Sequence, residues 1–173
     1  LAFVVFALFA WVASSVLAAA TSIREVSTIT HFTWLVRAQW HLAIFGFFAM
    51  AMLGAVYYIV PRLVQSASLC PKLMRAHLLL SAAGVLLVFL PLAIGGVRQG
   101  FALNRPDVPF TDVMKAPLMF LRLSTLGDLL LVVGNVLLVL NFGWMLITCA
   151  RALLVPAWKD VTAVQPHAAE ATP

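Results

Sequence analysis

Long, almost uncharged apolar runs limit what this chain can fold into more than any other feature. From Leu1 to Ala20 there is no Asp, Glu, Lys or Arg, and comparable runs extend from about Ala38 to Val60, Ala76 to Val97 and Leu118 to Ala150. A helix needs about 20 consecutive apolar residues to cross bilayer hydrocarbon. In that medium every backbone amide must be bonded internally, so the runs are read as helices. Composition closes the soluble alternative: 64% of the 173 residues are hydrophobic, 10% are charged and mean hydropathy is +1.05. A soluble domain of this size has too much surface for its volume to hide that many apolar side chains. The predicted fold class is all-α, an integral membrane bundle of four transmembrane helices over residues 1–150, with a cytoplasmic, disordered tail over 151–173. The fourth run is too long for one crossing unless it tilts or projects into the interface.

The net charge of +5 would suggest nucleic acid as a partner in a soluble protein. Here the basic residues sit between apolar runs, where membrane proteins carry topology signals, so the bilayer is the expected partner and nucleic acid is not. Arg62, Lys72 and Arg75 follow the second run without an acid, and Arg151 and Lys159 follow the fourth. On the other side the basic residues are mixed with Glu25, Asp107 and Asp112. This pattern predicts a cytoplasmic C-terminus, with His31, Arg37, Arg98 and Arg105 on the outer side. The first run has no basic flank and no clean small-residue cleavage site, and is read as a span rather than a signal peptide. Cys70 and Cys149 lie far apart, outside any CxxC pattern, and indicate neither a disulfide framework nor zinc. There is no internal repeat, glycine-rich phosphate loop, catalytic triad or HExxH, so nothing in the spacing supports a hydrolase or nucleotide enzyme. The spans also lack the broken-helix signature of transporters.

Ionisable groups inside a membrane face the bundle interior or a functional path. His41 stands about one turn inside its run; it is either an axial ligand for haem iron or a histidine satisfied by a neighbouring helix. Gln39, two residues earlier, is rotated by about 200° on an α-helix and cannot share a metal with it. Its simplest role is an interhelical hydrogen bond. Arg37 lies on about the face of His41, one turn nearer the interface, where it either meets a haem propionate or snorkels to headgroups. Asp128 is read as reaching the interface or pairing with a cation in preference to a proton relay, and Asn135 and Asn141 as bonding between helices. His77 is read as interfacial, and His31 as an outer-loop ligand for a divalent ion or a cofactor carboxylate.

Taken in order, His31-Phe32-Thr33, Gln39-Trp40-His41, "GFFAMAMLGAVYYIVPRL" (Gly46 to Leu63), "RAHLLL" (Arg75 to Leu80), "GGVRQG" (Gly95 to Gly100) and Arg122 with the apolar helix reaching Asn141 form a recognisable set. The set resembles the catalytic subunit (subunit I) of haem-copper oxidases, in particular its cbb-type (C-family) members, and would correspond to that subunit's last helices. In that family a His-x-His helix lies between two haems. The resemblance implies that His41 matches the ligand of the low-spin b-type haem, and that Gln39 stands where the high-spin haem ligand would be. It implies that His31 matches a histidine near the haem propionates and their divalent ion, and that Arg122 matches an arginine of the propionate region. The family's copper ligands and its other low-spin ligand belong to earlier helices, so the resemblance implies no copper in this chain and a second axial ligand from another chain.

The expected function is a membrane subunit of a respiratory electron-transfer complex in the bacterial inner (plasma) membrane. It would be a split or degenerate oxidase-like chain, not catalytic alone, with other membrane subunits and a cytochrome c as partners. Two alternatives stand beside it: a cofactor-free anchor derived from an oxidase, and part of an active oxygen or nitric oxide reductase with Gln39 a lineage-specific change.

Overall fold

The computed structural model describes residues 2–65 and 69–164. Among them it forms six helices and no strand: α1 (Ala2–Thr21), α2 (Arg24–Thr30), α3 (Trp34–Leu63), α4 (Pro71–Leu103), α5 (Phe110–Lys115) and α6 (Leu118–Val164). Four spans are long and apolar enough to cross a membrane: α1, α3, α4, and α6 with the short α5 ahead of it. Helices α3 and α4 begin ahead of the apolar runs that announce them, each at a residue suited to a helix start. Thr33 caps α3, its hydroxyl accepting from the Leu35 N–H at 3.3 Å, and Pro71 opens α4 at a position where its missing N–H costs nothing.

The central helix is α4. In its most apolar stretch 39% of residues are buried, against 17% in each of the other three spans. It lies along α6 over much of its length and carries the N-terminal part of α3 and the short α2 at one end. The crossing with α6 is a backbone contact. A Cβ on Gly84 would come 2.9 Å from the Gly127 carbonyl oxygen, and one on Gly127 would come 2.7 Å from that of Gly84. Small residues permit this approach, which matters in lipid, where packing rather than hydrophobic exclusion holds helices together. On the other side α1 packs against α3, with Phe3, Ala7, Met50 and Tyr57 in one buried cluster and Ala10, Leu42 and Val85 in the next.

The middle of α3 departs from α-helical geometry: Leu42–Ala49 is a π-helical stretch, beginning at the residue after His41. Such widened turns inside α-helices recur at functional sites.

Several polar residues depart from their sequence reading. His77, read from the sequence as interfacial, is fully buried in the bundle, and its Nδ1 shares a 3.0 Å hydrogen bond with the Tyr57 hydroxyl. The reason is that α4 begins at Pro71, which carries His77 more than a turn into the helix. Among the described residues Asn135 makes no bond between helices; its Nδ2 donates to the Leu131 carbonyl of its own helix at 2.9 Å. Asn141 does bridge elements. Its Oδ1 accepts from the Cys70 N–H at 2.8 Å and its Nδ2 donates to the Cys70 carbonyl at 3.2 Å, tying α6 to the start of α4. No helix end falls at residue 150, where a disordered tail was expected to begin, since α6 runs on to Val164 through Pro156. Gln165 to Pro173, including His167, lie outside the described residues.

Candidate functional site

The segment between α2 and α3 sets the geometry of the site. Phe32 adopts φ of 62°, in the left-handed region that a bulky residue occupies only at a cost. The turn leaves His31 and Phe32 exposed, their rings in an edge contact at 4.1 Å, while Thr33 turns inward. The Thr33 hydroxyl donates to the Thr30 carbonyl at 2.6 Å while capping α3. From α4, the buried Gln99 completes the cap, its Oε1 accepting from the Trp34 N–H at 3.1 Å. Two glycines beside it make room. A Cβ on Gly96 would collide with the backbone of Trp34 and Leu35, and one on Gly100 with the Ile29 carbonyl. "GGVRQG" is thus the seat on which the start of α3 rests.

That seat fixes how α3 presents its side chains. His31, Arg37, Trp40 and Gln99 line one groove of about 810 Å³. Arg37, Trp40 and His41, with Ile44 and Phe45, line a smaller one of about 210 Å³. Arg37 and Trp40 belong to both, so His31, Arg37 and His41 share one continuous surface along α3. The His41 ring stacks on Phe45 with centroids 5.4 Å apart and planes at 25°. Its Nδ1 is buried without a hydrogen-bond partner, although the residue as a whole is only half buried. The His77 Nε2 is likewise buried without a partner among the described residues, so this feature does not by itself single out His41. Asp128 is exposed and makes no ion pair among the described residues.

Gln39 is half buried and lines neither groove, so it and His41 address different surroundings. No hydrogen bond from its side chain forms among the described residues, and the interhelical bond expected of it is not made there. Arg122 is exposed on α6 and also lines neither groove, so it is not brought to the surface shared by His31, Arg37 and His41. Among the described residues no three His, Cys, Asp or Glu side chains converge as a metal site, and His31 stands alone as a candidate ligand. For a haem, the residues would offer one axial ligand, the His41 imidazole, with Arg37 one turn away on the same groove. The residue that sequence reasoning did not assign is Gln99. Its signal lay within the quoted glycine motif, as a polar side chain flanked by glycines inside an apolar helix.

Four helices long and apolar enough to cross a membrane define a multi-pass membrane protein. Residues 1–130 match the family model for cytochrome c and quinol oxidase polypeptide I, and the chain belongs to that family. The match covers α1 to α5 and the first part of α6. Among curated relatives, the chain is 30% identical over 132 residues to cytochrome c oxidase subunit 1 of Synechocystis sp., covering 76% of this chain and 22% of that protein. It is 24% identical over 148 residues to cytochrome c oxidase subunit 1 of Rhodobacter capsulatus, covering 79% and 28% respectively. It is 25% identical over 145 residues to the cytochrome c oxidase subunit 1 homolog of Azorhizobium caulinodans, covering 79% and 26%. The chain therefore spans about a quarter of the length of the curated relatives it matches. It is an oxidase-related membrane chain.

Proposed function

We propose that this chain serves in a respiratory electron-transfer complex as a cbb-type-like, split or degenerate oxidase subunit I. It would help to hold a low-spin b-type haem through His41, the second axial ligand coming from a partner chain or another segment outside these residues. The observation that carries this reading is His41 itself: an imidazole inside a membrane span, on an open groove shared with Arg37, in a member of the oxidase polypeptide I family. When bound, such a haem supplies one-electron transfer. The residues of this chain bind and orient. His41 coordinates as neutral imidazole, a standard axial ligand. Arg37, one turn away, pairs with a propionate, and His31 lies further along the same surface toward the carboxylate end. Thr33, Gln99, Gly96 and Gly100 keep α3 at the angle that presents them. Arg122 lies off both grooves and has no part in this reading.

Gln39 shapes the rest of the proposal. A neutral carboxamide is a poor iron ligand beside imidazole, so the opposite side of α3 lacks the group that a high-spin, oxygen-reducing haem requires. The chain then relays electrons, contains no copper and is not catalytic alone. Its setting is the bacterial inner membrane with the C-terminus cytoplasmic, its partners other membrane subunits and a cytochrome c.

The test is a reduced-minus-oxidised spectrum of the purified complex. His41→Ala is expected to abolish one b-type band while the complex stays assembled. An unchanged spectrum in an assembled complex overturns the proposal in favour of a cofactor-free anchor. Oxygen uptake that is abolished by Gln39→Ala would instead establish an active reductase.

A further inference from the structure

Helix α6 carries two parallel seams, one packed and one open. Ser124, Gly127, Gly134 and Asn141 are buried, on the face turned toward α4. One residue further on, Thr125, Asp128, Val132, Asn135 and Val139 keep a helical spacing of their own, rotated by about 100°, and all five are exposed. Farther round, Leu126, Val133, Leu140 and Trp144 form a purely apolar exposed face. The polar groups of the open seam lie deep. Gly127 meets Gly84 backbone to backbone, and Gly84 sits inside the uncharged stretch of α4 between Arg75 and Arg98. From Gly84 it is about 14 Å of helix to Arg75 and about 21 Å to Arg98, so Asp128, next to Gly127, stands near the middle of the hydrocarbon. Its short side chain cannot reach either interface. Among the described residues it forms no ion pair with Arg37, His41 or any other group. Asn135 gives one N–H to the Leu131 carbonyl, and its Oδ1 accepts from no donor among the described residues.

A carboxylate at that depth selects what covers the seam. Acyl chains carry no counter-charge, and an acid facing them is costly. A second copy docked by the same face would set Asp128 against Asp128. The nearest cation along α6, Arg122, lies about 9 Å nearer the outer end and about 120° round the helix. We propose that the open seam of α6 docks a transmembrane helix from outside these residues, one that presents a Lys or Arg to Asp128 and a hydrogen-bond donor to Asn135. Apolar contact alone gives two helices little reason to associate in lipid, because the tails are as apolar as the side chains. Polar pairs supply that reason, and they specify geometry too. Asp128 fixes the depth of the partner helix, and Asn135, two turns further along the same seam, fixes its rotation. Thr125, Val132 and Val139 between and beside them are short enough to let its backbone approach. The site makes no use of His41 and stands or falls without haem.

The test places the photocrosslinker p-benzoylphenylalanine at Val132 or at Val133, in the complex within its own membrane, and identifies the joined peptide by mass spectrometry. Val132 is expected to join one apolar helix that carries Lys or Arg about one turn from the crosslink. Val133, rotated off the seam by about 100°, is expected to join it about tenfold less. Asp128→Asn is expected to lower the Val132 yield about tenfold or more, the scale of a charge pair broken away from water. Asn has nearly the size of Asp and the position is exposed, so that loss reports the charge rather than the fold. Asp128→Glu is expected to keep the crosslink. Asp128→Lys is expected to abolish it until the basic residue of the joined helix is exchanged for Asp. Equal yields at Val132 and Val133, a joined helix with no basic residue at that level, or joining to a second copy of this chain would overturn the proposal. So would a yield unmoved by Asp128→Asn, or one that the charge exchange does not recover.

Discussion

At the scale of single residues, the angle of the His41 helix rests on a few polar contacts made at its start. Gln99 satisfies the Trp34 N–H, one of the donors that every helix leaves unpaired at its N-terminus. Gln99→Ala is expected to destabilise the protein by about 1–3 kcal/mol, the cost of a donor left unpaired away from water. Gln99→Glu keeps an acceptor there and adds a charge favoured at a helix N-terminus, so it should recover most of that loss. Thermal unfolding of both variants in detergent decides the matter, and equal losses in the two would discount the hydrogen bond. Cys70, just before α4, is a second such case. The backbone N–H groups of Leu73 and Lys72 stabilise its thiolate and hold the thiol below its ordinary range. Alkylation proceeds through the thiolate, so labelling of a Cys149→Ala protein should reach half its maximal rate at a lower pH than an unperturbed thiol does. A profile centred at the ordinary thiol value would refute this. His41 could be singled out from the sequence because an ionisable group in an apolar run is a local signal, and Arg37 because it falls one turn away on the same face. The role of Gln99 could not, since its partner lies 65 residues away and only the folded chain brings them together.

At the scale of elements, hydropathy located the four spans because each crossing must be apolar along its own length, whatever its neighbours. Their packing was less legible. Nothing in "LAIFGFFA" distinguishes the π-helical turns from α-helix, as both are equally apolar and both satisfy the backbone internally. Pairing of α4 with α6 through Gly84 and Gly127 was also hidden, since glycines are common in membrane helices and the sequence does not say which of them meet. Gly127→Val should cost about 1–3 kcal/mol through overpacking at this crossing. Gly143→Val should be close to neutral, because nothing lies within 4 Å of a Cβ there. Comparing the two by denaturant titration tests the crossing directly, and matching losses would mean that helix propensity rather than contact sets the cost. The extension of α6 past residue 150 was missed because the charged residues there resemble a soluble tail, whereas Leu153, Leu154 and Trp158 are good helix formers or tolerated in helices.

At the scale of the whole molecule, the bundle leaves much of its apolar surface outside, as a chain that crosses a bilayer must. The placement of charged loops predicts its sidedness. In a background without Cys70 and Cys149, a cysteine at Asp107 should react with a membrane-impermeant reagent from the outer side, and one at Trp158 from the cytoplasmic side of sealed vesicles. Labelling of both positions from one side would contradict the topology. The 47 residues of α6 amount to about 70 Å of helix, well beyond the roughly 40–45 Å of a bilayer with its headgroups. So long a rod works as a lever. A change of about 10° in its tilt, small within the range membrane helices adopt, would swing one end by about 12 Å relative to the other. A partner gripping the far end near Trp158 would therefore feel, greatly magnified, a small rocking at the glycine crossing where α6 leans on α4.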